Sequence, residues 1–192
     1  MEFKSWLHNQ DTETFEKEEA SLMEIAKEFS KENSLPKPVS YLNEGAEAIV
    51  FNTTNPNVVV RITKGDSEAS CEKIMLSPTM QKSGAVVKIL KSNNYKNHYI
   101  TYKEKVDTEW ENYLQNKNPK NVEEITNDLE NIVFDFADHD EYTLKKRIKN
   151  LSNFKETKKL AIAISRFPQL MKDLHVANIG VNKEGDLVII DC

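Results

Sequence analysis

A chain of 192 residues is long enough to bury a core, and its length fits one domain or two small lobes. With 39% hydrophobic and 30% charged residues, five glycines and six prolines, it is excluded from the fibrous and wholly disordered classes. A formal charge of −5 argues against nonspecific attraction to nucleic acid, and two cysteines supply neither a disulfide framework nor a metal-ligand spacing.

No secretory leader opens the sequence, and its longest apolar run is far short of a membrane span, so the expected location is a reducing cytoplasm. Residues 12–31 read as an amphipathic helix with Phe15, Leu22, Ile25, Ala26 and Phe29 in one stripe, capped by Asp11 or Thr14. The prolines of SLPKPVSYL end helicity. From Tyr41 the period becomes that of strands, at 49–51, 58–62, 86–90 and 99–102, with turns at NTTNPN and KSNNYKN. One short helix is expected in SEASCEKIML, and one further strand leads in at Tyr41.

After VDTEWENYL the pattern turns helical. Val122, Ile125, Leu129, Ile132, Val133 and Phe136 mark one helix, Glu141 to Leu151 a second, and LAIAISRF the centre of a third that runs from about Glu156 towards Pro168. The string KKRIKNLSNFKETKK is basic, yet Leu144, Ile148, Leu151 and Phe154 fall at helical spacing, so a solvated helix face is favoured over a nucleic-acid or phosphate surface. At the end, apolar runs at 178–181 and 187–190 flank NKEGD, whose glycine suits a tight hairpin turn.

That hairpin carries the chemistry. In MKDLHVANIGVNKEGDLVIIDC, the returning strand brings Asp191 back towards Asp173 and Asn178, which puts two carboxylates and an amide oxygen in one neighbourhood. Such hard oxygen donors suit Mg²⁺, which takes one or two carboxylates plus substrate phosphates. A remaining carboxylate can orient an attacking hydroxyl and accept its proton. His139, beside the acidic string DFADHDE, matches no closed zinc or calcium spacing.

The same stretch resembles the catalytic loop and metal-binding strand pair of the protein kinase-like superfamily, in the short D-L-H-x-x-N form of small-molecule kinases and of minimal phage or bacterial kinase-like proteins. The resemblance assigns Asp173 as catalytic base, Asn178 and Asp191 as magnesium ligands, and His175 to loop support. YLNEGAEAIVF is similar to the glycine-rich loop, with Asn43, Gly45 and Ala48 at its glycine positions and Val50 above the adenine. Arg61 of VVVRI stands where the family has its phosphate-binding lysine; it is one of three arginines in the chain. The acidic partner of that cation is Glu68 or Glu72, with Glu72 favoured because the first turn of a helix already explains Glu68. ITYKEKVD resembles the hinge that meets adenine, which brings in Glu104 and Val106 with a register open by one residue.

The resemblance covers roughly 36–192 and implies an α+β, two-lobed protein kinase-like fold. Its parts are a helical extension over 1–35, an antiparallel-sheet lobe with one main helix over 36–107, and a reduced, mostly helical lobe over 108–192 that stops just after the D-F-G-type aspartate. The implied function is an ATP- and Mg²⁺-dependent phosphotransferase with nucleotide between the lobes and a protein or small-molecule hydroxyl as acceptor. The alternative is an inactive pseudokinase that senses nucleotide or binds a host protein. Neither nucleic acid nor membrane is an expected partner, and the expected compartment is cytoplasmic, host cytoplasm for a phage-encoded chain. Arg61, the single surviving glycine and the missing activation segment and later helices are the departures that favour the alternative.

Overall fold

A computed structural model describes residues 3–44, 48–63, 69–135, 141–166 and 175–191, with side chains over 17–44, 48–63, 72–132, 141–166 and 175–191. Its contacts divide the chain into two compact units, Met1–Ala69 with Leu90–Glu104, and Ser70–Ile89 with Lys105–Cys192. The architecture is mixed α+β.

The first unit opens on α1 (Phe3–Glu32). Asp11 and Thr14 therefore lie inside this helix instead of capping it, because no proline or glycine interrupts the run from Phe3. It stops where Ser34 takes a left-handed conformation (φ 56°) and the Leu35 amide donates back to the Ser30 carbonyl at 2.8 Å, a Schellman closure just ahead of Pro36.

Five strands follow in the antiparallel order β1-β2-β3-β5-β4, with β1 at Pro38–Glu44, β2 at Ala48–Thr53, β3 at Val58–Thr63, β4 at Ile89–Tyr95 and β5 at His98–Glu104. Alternate residues of the central strands, Phe51, Val60, Ile62, Ile100 and Tyr102, make a core with Leu22, Ala26 and Phe29 of α1. From Leu22 to Phe29 the expected stripe thus docks on its own sheet. Phe29 meets Tyr95 edge-on at 5.4 Å and stacks on Tyr102 at 6.1 Å. The strand expected at 86–90 starts only at Ile89, and β4 runs on through the polar Asn93 and Asn94. Its turn is the two-residue pair Lys96 and Asn97, both with positive φ (48° and 64°), the backbone that matches the twist of a tight hairpin.

The second unit holds α2 (Ala69–Leu76), α3 (Pro78–Ser83), α4 (Trp110–Lys117), α5 (Val122–Asp135), α6 (Glu141–Leu151) and α7 (Lys158–Arg166), with a hairpin of β6 (Ile179–Val181) and β7 (Leu187–Ile189). The helix expected in SEASCEKIML forms as α2, and a further one, α3, follows it because Pro78 ends the first and opens the second under a Ser77 cap that accepts from the Met80 amide at 3.4 Å. Met80, Leu114, Ile125, Leu129, Leu160 and Ile164 join the apolar faces of the helices to Ile179 and Ile189 of the hairpin in one core. Gln81 stitches the return from α3: its Nε2 donates to the carbonyls of Met75 (3.0 Å) and Val87 (3.1 Å), and its Oε1 accepts from the Ile89 amide (3.0 Å). Phe136 falls outside the described residues. Among those described, no helix is long and apolar enough to cross a membrane.

Candidate functional site

The terminal hairpin forms as its sequence implies. Ile179 pairs with Ile189, Gly180 with Val188 and Val181 with Leu187, and the turn closes at Gly185 with a φ of 84° that only glycine adopts freely. Asn182 caps that turn by accepting from the Asp186 amide through its Oδ1 at 2.9 Å. The ladder continues one step beyond the strands, since the Ile190 amide donates to the Asn178 carbonyl at 2.9 Å. Asn178 therefore stands opposite Ile190, and Asp191 is the next residue along. These two half-buried oxygen-bearing side chains are set at the same end of one ribbon.

Six hydrogen bonds hold the hairpin and the turn before it in place. Asn178 closes a short 3₁₀ turn, Val176–Asn178, with its amide donating to the His175 carbonyl at 2.8 Å, and the Trp110 indole Nε1 donates to the Val176 carbonyl at 3.2 Å. The outer edge of β7 is covered by residues 85–87, through Val87 N–H to Ile189 O and Ile189 N–H to Ala85 O, both at 2.9 Å. The outer edge of β6 is covered by Asp107, which exchanges backbone bonds of 3.0 and 2.7 Å with Val181. Gly180 is required by this closeness: a Cβ there would lie 2.6 Å from Cγ2 of Val106 and 3.1 Å from the Asp107 carbonyl.

In the first unit, Val50 is the cross-strand partner of Arg61 and Ala48 that of Thr63, so the residues expected beside a nucleotide share the sheet face opposite α1. Arg61 in turn faces Thr101 on β5. Arg61 is only 3% exposed, and its Nη1 donates to Thr63 Oγ1 at 2.8 Å. A guanidinium does not lose its proton on burial, so such hydrogen bonds answer the cost of taking it from water. Glu104 pairs with Val58 and falls on the α1 side of the sheet, so its side chain is not on the face of Arg61. Val106 belongs to the second unit, packed at Gly180, and Glu72 is buried on α2.

Asp173, Gly45 and Glu68 lie outside the described residues, as does His139; His175 is exposed. The sequence reading missed Thr63, Thr101 and Lys103, three buried polar residues on the same face as Arg61. Their signal was the short alternation Arg61-Ile62-Thr63 in β3 and Thr101-Tyr102-Lys103 in β5, which puts the polar residues on one face. It also missed Trp110, whose role rests on one indole bond that no spacing announces.

Among the described residues no group of three His, Cys, Asp or Glu side chains forms a ready cage for a metal. Asn178 and Asp191 offer one amide oxygen and one carboxylate at that end of the ribbon, and Mg²⁺ is held through one or two carboxylates when substrate phosphates complete its shell. Compared with known proteins, the chain matches no family model and no curated protein.

Proposed function

We propose that this chain is a protein kinase-like phosphotransferase that uses ATP and Mg²⁺ and transfers to a hydroxyl of a protein or small molecule. The observation that carries the reading is the Asn178–Ile190 ladder bond, which brings the backbones of Asn178 and Asp191 to the same end of the hairpin. Asn178 and Asp191 hold the metal, which supplies charge neutralisation at the phosphate oxygens. Arg61 answers phosphate charge from the middle strand of the sheet, with Ala48 and Val50 beside it. Asp173, five residues before Asn178 in the D-L-H-x-x-N string, orients the acceptor hydroxyl and takes its proton. The two-lobed kinase arrangement is supported by element order: a five-stranded antiparallel sheet with α2 and α3 inserted between β3 and β4, then the helices α4 to α7, then the terminal hairpin.

One observation favours the second reading, an inactive nucleotide-sensing or protein-binding relative. Arg61 is buried and bonded to Thr63 within its own strand, so part of its hydrogen-bonding capacity is used by the fold. A single experiment separates the two. Wild type should consume ATP in a magnesium-dependent way, and Asp173→Ala should lose that turnover by about 10²–10⁴-fold while calorimetry still shows nucleotide binding. Absence of magnesium-dependent nucleotide binding in wild type would sink the phosphotransferase. Binding without turnover in either protein, with a partner retained equally by both, would establish the inactive relative.

A further inference from the structure

On the second unit, α6 and α7 leave between them a groove of about 390 Å³. Its floor is Leu144, Ile148, Ala161 and Ile164, and Ile162 on its edge is 36% exposed. A cavity of ~150 Å³ accepts a benzene-sized group, so this one has room for two such side chains. The lining hydroxyls are already used inside their own helices, Ser152 Oγ donating to the Lys149 carbonyl at 2.6 Å and Ser165 Oγ to the Ile162 carbonyl at 2.8 Å. The groove therefore favours apolar side chains over a polar small molecule.

The charge around it is predominantly basic. Glu141, Lys145 and Lys149 line one rim and Ile162 and Ser165 the other, and since residues four apart share a helix face, Lys158 and Arg166 lie one turn to either side of Ile162, just beyond the lining. Glu141 is answered by Lys145 at 2.6 Å, which leaves Lys149 as the remaining charge of the lining, with Lys158 and Arg166 flanking it on α7. The two helices carry seven basic residues against one acidic, on a chain whose formal charge is −5. At 1.5 Å per residue the groove is roughly 15 Å long, about three turns of a helix.

The geometry points to this groove as a docking site for an amphipathic helix of a partner protein, one that presents aliphatic side chains at i, i+4 and i+7 and carboxylates on its flanks. The apolar floor takes the anchors, and the basic rims select the acidic flanks and reject a basic helix. A nucleic acid would use the cations but leave the floor unfilled.

Two synthetic three-turn helical peptides with the same leucine stripe, one flanked by glutamate and one by lysine, test this by fluorescence anisotropy against the full chain. The glutamate peptide should bind, and about tenfold more weakly to Lys149→Glu/Arg166→Glu. Ile162→Asp should remove binding. Unchanged melting temperatures in these surface variants would show that the fold is intact, and hydrogen-exchange protection should map to residues 141–152 and 158–166. Equal binding of both peptides, or no binding at millimolar peptide, would overturn the assignment. So would a single-stranded oligonucleotide that displaces the glutamate peptide, or self-association of the chain that Ile162→Asp abolishes.

Discussion

Asp128, on α5, has one carboxylate oxygen buried without a hydrogen-bond partner. Burial raises its pKa, Glu124 one turn earlier raises it further, and Arg147 on α6 works in the opposite direction. Because the folded value lies above the unfolded one, the folded chain holds this proton more tightly. The associated stability is complete at low pH and is lost as the pH rises through the folded value. Asp128→Asn should therefore melt at a higher temperature than wild type at pH 7, with the difference closing as the pH falls below the carboxylate range. Calorimetric melting across that range checks it, and a gap that widens in acid would contradict it. Gly180 is the opposite case, a position where steric closeness rules. Gly180→Ala drives a methyl against Val106 and the Asp107 carbonyl and should cost roughly 1–3 kcal/mol in denaturant titration.

Single elements reveal how much was legible in advance. The limits of α6 and of the terminal hairpin follow from local chemistry: Leu144, Ile148 and Leu151 repeat at helical spacing, and NKEGD carries its glycine where the chain must turn. By contrast, α3 has six residues and α4 eight, too short for periodicity to stand out, and only burial of Met80, Trp110 and Leu114 reveals their purpose. β4 crosses Asn93 and Asn94, residues of turn character, because pairing with β5 outweighs local preference at an exposed edge. The reading of 12–31 as a helix located the stripe of α1 but not its start. That stripe yields a quantitative expectation: Phe29→Ala empties the site between Tyr95 and Tyr102 and should destabilise the first unit by about 3–5 kcal/mol, followed by chemical denaturation.

For the molecule as a whole, the phosphotransferase reading makes ligand binding visible as stability. A ligand that binds only the folded chain at a hundred times its Kd adds about 2.7 kcal/mol. At roughly 2–4 °C per kcal/mol this is a rise of about 5–10 °C in melting temperature. ATP with Mg²⁺ should produce such a rise in wild type, and it should shrink to the magnesium-free value in Asp191→Asn. An equal rise in both proteins would remove Asp191 from the metal site. The peptide groove between α6 and α7 is separable from this test, since none of its lining residues belongs to the hairpin.

Features encoded within a few residues were legible in the chain alone: the helical stripes, the turn glycine of the hairpin and the return of the chain that sets Asn178 and Asp191 at one end of it. The tertiary structure decided what borders them. Residues 85–87 and Asp107 cover the two edges of the hairpin through backbone hydrogen bonds, which any residue but proline can make on both sides, so no side-chain pattern foretells them. The same holds for Arg61, whose place in VVVRI was plain but whose burial beside Thr63 and Thr101 depends on strands brought together from distant parts of the chain. Periodicity records which face of an element is apolar; which element meets that face is settled only when the chain packs.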